Sequence, residues 1–230
     1  MNFSPQYYSK IGVFIAVTIA IAFMGMYIRS RKTIMVTSNS QNLVELYFES
    51  FEGIVRGVLG EEYVQKFTPL AVTIFTTIFI TNLVSLFGFT DGAFANPVYT
   101  FTWSIGMFLF WNAYGIYKIG IKKFLADFTK PYAFMLPLEI IGFFTKPISM
   151  GARLLGNITA GAILMTIYWS VANLVVTGNL FVGTIAAPIF IGAGSALGFY
   201  FNVFGPFIQA LVFTYLTLVN LAMLIGPEDE

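Results

Sequence analysis

Long apolar runs separated by short polar breaks set the layout of this chain. Residues 11–28 form a run long enough for one membrane span, and Arg29, Arg31 and Lys32 follow it directly. By the positive-inside rule that end faces the cytoplasm, so the N-terminus is expected outside. Residues 67–89 and 98–117 predict two further spans, joined by an outer turn that holds Asp91, Gly92 and Asn96. Lys118, Lys122, Lys123 and Lys130 then mark a cytoplasmic return. Of the twelve Lys and Arg, Lys10 alone falls clearly outside.

The stretch 43–63 has a different rhythm. Val44, Tyr47, Phe48, Phe51, Ile54, Val55, Val58 and Leu59 recur at helical spacing, with Glu45, Glu49 and Glu52 opposite. An amphipathic helix along the cytoplasmic interface is expected, with Glu52 and Arg56 placed as an i,i+4 pair. Its acidic polar face is atypical of a lipid binder, which leaves docking against protein equally open.

Two overlong apolar segments follow. Residues 134–171 are either two spans or one long, strongly tilted helix whose path Pro137 and Pro147 adjust. Residues 184–225 form a second such segment, with a break expected near Gly205-Pro206, and an acidic tail ends the chain. Two overlong segments in tandem predict a tilted helical hairpin. The chain reads as a single membrane domain, 1–230, all-α and polytopic, with about five crossing helices and one interfacial helix.

Composition sharpens this reading. The 230 residues are 57% hydrophobic and 10% charged, with mean hydropathy +0.80, where soluble domains carry about 25% charged residues. A net charge of +1 gives no sign of a nucleic-acid partner. The chain has neither Cys nor His, which removes disulfides, thiol chemistry and any His-based metal site. No cofactor, metal or catalytic constellation is expected. The first nine residues carry no positive charge, unlike a cleavable signal.

Against that apolar background the charges of the second half stand out. Between Pro131 and Pro227 only Glu139, Lys146 and Arg153 are charged. A guanidinium at the middle of a membrane costs about 2.5–3.5 kcal/mol on the insertion scale and cannot escape by losing its proton. Arg153 sits among Gly151, Ala152, Gly156, Ala160 and Gly161, small residues that let a partner helix come close. The spacing of seven and seven puts Glu139, Lys146 and Arg153 on one stripe if the helix runs through Pro147, with Asn157 one turn beyond. Lys146 either joins that stripe or snorkels to water. In the last segment Ser195, Asn202, Gln209 and Asn220 also fall on one side of a helical wheel. Such a row either lines an aqueous path or glues helices together.

The residues Pro137-Leu138-Glu139-Ile140-Ile141, Lys146-Pro147-Ile148-Ser149 and Arg153-Leu154-Leu155-Gly156-Asn157 resemble the signature of subunit a of F-type ATP synthases. Thr81-Asn82-Leu83, Tyr114-Gly115-Ile116, Lys122-Lys123-Phe124-Leu125 and Gln209-Ala210-Leu211-Val212-Phe213 are similar to that family in the same order. The resemblance implies a non-catalytic stator whose tilted hairpin clasps a ring of c subunits and provides two offset aqueous half-channels. It implies as partners the c-ring, b-type peripheral stalk subunits, the rest of the ATP synthase and the lipid bilayer. It gives Arg153 as the essential arginine facing the ring carboxylate, Asn157 and Gln209 as its polar neighbours, and Glu139 and Asn82 as channel positions. The family commonly carries a titratable pair where this chain has Ala162 and Asn202. The outer half-channel is therefore expected to use water, Asn202 and Gln209, with Asp91 near its mouth.

The expected function is ion translocation, with the proton as the ion, coupled to ring rotation and ATP synthesis or hydrolysis. The expected location is a bacterial plasma membrane rather than a mitochondrial inner one. A stand-alone secondary transporter would need inverted repeats and matching broken helices, and only Gly205-Pro206 hints at a break. An intramembrane enzyme would need a nucleophile–base pair or a metal, which these residue types do not supply.

Overall fold

The computed structural model describes residues 39–86, 93–127, 136–178 and 180–225, with the single positions 19 and 134. The first expected span, its Arg/Lys cluster, Asp91, Lys130 and the acidic tail lie outside the described residues. The described chain is helical throughout: α1 (Asn39–Leu59), α2 (Val64–Leu86), α3 (Pro97–Ile119), α4 (Ile121–Asp127), α5 (Leu136–Gly178), α6 (Leu180–Phe199) and α7 (Gly205–Ile225). One π-helical turn, Tyr200–Phe204, joins α6 to α7.

Local chemistry explains where the helices stop. Asn96 caps α3, its side chain accepting a hydrogen bond from the Val98 N–H at 2.9 Å, and Pro97 fills the first helical position. Gly60 and Gly120 end α1 and α3 with φ of 88° and 81°, a backbone region that side chains avoid.

The apolar stripe of α1 packs on α2. Phe51 and Val55 are buried, the Tyr47 and Phe51 rings meet Phe75, and the Tyr47 hydroxyl shares a 2.7 Å hydrogen bond with Thr76 Oγ1. Burial raises the Tyr47 pKa, with the Thr76 contact opposing it. Arg56 closes not on Glu52 but on Glu61, at 2.8 Å, beyond the Gly60 turn. The turn folds Glu61 back within reach, and the bond to it raises the Arg56 pKa. Lys66 donates to the Tyr114 hydroxyl at 2.8 Å and lies over its ring.

Pro147 does not interrupt α5, which runs unbroken for 43 residues. Its carbonyl instead accepts a 2.5 Å hydrogen bond from Ser104 Oγ of α3, which ties the two helices at that level. The expected break at Gly205-Pro206 is likewise absent. Pro206 has no N–H for the carbonyl of Asn202, and the π turn reroutes the ladder through a bond from the Gly205 N–H to Tyr200 O. The helix therefore continues from α6 into α7.

The central core lies where α2, α3, α5 and α7 meet, and contains Ile74, Ile78, Trp111, Met150, Leu154, Phe213 and Leu218. Among the described residues, three stretches are long and apolar enough to cross a membrane: Glu61–Leu83, Leu136–Gly178 and Gly183–Ile225. The 23-residue α3 is as long as α2. Its two Trp, three Tyr, Asn112 and Lys118 keep it out of that set.

Candidate functional site

Close contacts between α5 and the α6–α7 helix fix an antiparallel register. The Tyr168 hydroxyl donates to Phe190 O at 2.6 Å. A Cβ at Gly194 would lie 2.7 Å from the Tyr168 ring, and one at Gly161 3.3 Å from Phe201 Cβ. Asn157 rests against Gly205, about 3.4 Å from a Cβ placed there. Each step down α5 is matched by a step along the partner helix. Four residues beyond the Asn157/Gly205 pair, Arg153 falls level with Gln209.

The two residues at that level have opposite surroundings. Gln209 is buried on α7. Arg153 is exposed on the outward face of α5, while its neighbour Leu154 is fully buried in the core. The side chains that anchor α5, among them Pro147, Met150, Gly151, Leu154 and Gly161, occupy the other side of the helix. Among the described residues none pairs with Arg153. An unpaired guanidinium on the outer wall of an apolar helix is costly in lipid.

The small residues around Arg153 divide into two groups. Gly151 packs against Phe101 and Ser104, and Gly161 against Phe201, so both serve packing within the chain. This corrects the expectation that all five admit a partner helix. Ala152, Gly156 and Ala160 are exposed on the Arg153 side, and a Cβ at Gly156 would meet nothing within 4 Å.

Because α5 is continuous, Glu139, Lys146 and Arg153 do lie along one face, and all three are exposed. Asn157, one turn on, is half-buried. The row in the last segment is broken. The π turn inserts one residue between Ser195 and Gln209, about 100° of rotation, so the even wheel does not apply. Ser195 and Asn202 are exposed, Gln209 is buried and Asn220 is half-buried, its Nδ2 donating to Leu216 O. Asn82 is buried on α2, which packs against both α7 and the π turn. Among the described residues no three His, Cys, Asp or Glu gather as metal ligands.

Two polar groups were given no role by the sequence. Thr77 and Thr81 of α2 are buried, and among the described residues their hydroxyls have no hydrogen-bond partner. Threonine in a helix ordinarily bonds its own backbone, so nothing in the residue pattern marks them.

Comparison with known proteins points to one family. The family described as ATP synthase A chain matches residues 11–222. The chain is 32% identical over 224 residues to ATP synthase subunit a of Priestia megaterium, covering 93% of this chain and 90% of the relative. It is 29% identical to ATP synthase subunit a of Enterococcus hirae, covering 94% and 91%. The protein of the same name from Bacillus subtilis is also 29% identical, covering 93% and 91%. The chain belongs to the ATP synthase A chain family.

Proposed function

We propose that Arg153 is the fixed charge past which a ring carboxylate moves, with Asn157 and Gln209 as its polar neighbours. The family's function is that of a membrane stator, which translocates protons and has no catalytic site of its own. It works in an ATP synthase with a c-ring, a peripheral b stalk and the surrounding lipid. The chain is an integral, multi-pass protein of the bacterial membrane type.

The observation that carries the site is the outward-facing Arg153, unpaired among the described residues, level with buried Gln209 and one turn from Asn157. A carboxylic acid brought to Arg153 finds an opposite charge in a low dielectric, which favours its ionised form and releases its proton. The guanidinium stays charged throughout and repels a free cation. Ions then cross only by riding the ring, so leak becomes torque.

Glu139 serves the cytoplasmic half-channel, 14 residues and about 21 Å along α5 from Arg153. Asn82, Asn202 and Gln209 serve the outer one, with Asp91 at its mouth. A 43-residue helix is about 65 Å long, twice the hydrocarbon core. We therefore place α5 and α6–α7 strongly tilted, as a hairpin along the ring. The N-terminal run and α3 supply the remaining crossings of a five-span chain with its N-terminus outside and its C-terminus cytoplasmic.

ATP-driven acidification of vesicles carrying the wild-type complex or Arg153→Ala tests the site. Loss of pumping in a fully assembled variant is expected. Persistent pumping would make Arg153 a structural charge and remove this mechanism.

A further inference from the structure

Five threonines lie on the described part of α2, and they behave in two ways. Thr68, Thr73 and Thr76 each donate to the carbonyl four residues back, at 2.6–2.7 Å. Thr77 and Thr81 do not, although they are 0% and 3% exposed. A hydroxyl buried without a partner costs about 1–3 kcal/mol, and back-bonding was open to both. They turn from their own backbone into the bundle, which points to a partner from outside the protein chain.

Their position gives that partner a role. Phe75 and Phe79 both meet the ring of Phe207, with centroids 5.5 and 5.7 Å away. Phe207 lies between Gly205 and Gln209, so Thr77 falls at the Asn157–Arg153 level. Thr81 and Asn82 are one turn nearer the outer end. Thr77 lies eleven residues, about three turns, from Lys66, on the side of α2 where Lys66 and Phe67 reach Tyr114 of α3. There the Cα traces of α2 and α3 stay more than 8 Å apart, bridged by side chains. Cβ atoms at i and i+4 sit about 5–6 Å apart, and hydroxyls carried at such a separation are within reach of one bridging water.

We propose that Thr77 and Thr81 hold buried water and extend the outer half-channel from Asn82 to the level of Arg153. The two hydroxyls supply fixed polar contacts on a route that has Ala162 and Asn202 in place of ionisable groups. This inference rests on the translocation reading above.

The test uses the whole ATP synthase complex. Cryo-electron microscopy of the wild type should show ordered water within hydrogen-bonding distance of both hydroxyls. The double variant Thr77→Val/Thr81→Val keeps the shape and removes the hydroxyls. Its gradient-driven ATP synthesis in vesicles should fall about fivefold, the worth of one hydrogen bond. Thr77→Ser/Thr81→Ser should restore the rate. Wild-type turnover in the valine variant overturns the proposal, whether or not water is seen. If the valine variant does not assemble, the wild-type map decides: water at both sites supports the proposal and a dry site overturns it. Arg153→Ala separates the two readings. A dead Arg153→Ala beside a normal valine variant removes only this inference, whereas a pumping Arg153→Ala removes the reading beneath it.

Discussion

The carboxamide of Asn157 rests on Gly205: a Cβ there would lie 3.4 Å from Nδ2 and 3.5 Å from Oδ1. This contact places Asn157 one turn from Arg153 and sets the distance between α5 and the start of α7. Those separations are ordinary van der Waals contacts, and Gly205 has helical backbone angles. Gly205→Ala is therefore expected to assemble and pump like the wild type. Gly205→Leu pushes Asn157 away and should lower ATP-driven pumping about tenfold at equal assembly. Equal pumping by the leucine variant would detach Asn157 from the path.

Gly194 offers a sharper packing test. A Cβ there would meet Tyr168 at 2.7 Å and Trp169 at 2.8 Å. The Tyr168 ring cannot swing aside without breaking its bond to Phe190 O. Gly194→Ala should destabilise the α5–α6 contact by about 1–3 kcal/mol. Gly192, two residues earlier, has nothing within 4 Å of such a Cβ. Gly192→Ala should be neutral or gain up to about 1 kcal/mol. Thermal dissociation of the two purified complexes, run side by side, reads the difference.

Glu139 is the one carboxylate on the Arg153 face of α5. Glu139→Gln preserves its shape and removes its proton chemistry. Turnover should fall at least about tenfold, with a flatter pH dependence of pumping. An unchanged rate and pH profile would take Glu139 off the proton path.

The helices and the central arginine were legible because charge is so scarce in this chain. Long apolar runs leave little freedom in placing helices, and one guanidinium among small residues is conspicuous. The division of those small residues was not legible. Gly151, Gly156 and Gly161 look alike in sequence, and only Phe101, Ser104 and Phe201 decide which of them are covered. Pro147 and Pro206 could each interrupt a helix, yet α5 runs through the first and a π turn carries the ladder past the second. Arg56 found Glu61 rather than Glu52 because the Gly60 turn, not helical spacing, sets what it reaches.

The π turn has a consequence for the whole of the last long helix. One surplus residue acts as a phase shifter: the two halves share an axis but not an angular origin. Side chains before Tyr200 are set about 100° off from those after Phe204, so an exposed Asn202 within the turn and a buried Gln209 coexist seven residues apart on one continuous rod. α6 can thus keep one orientation towards α5 while α7 presents another towards α2 and α3, without a break in the backbone between them.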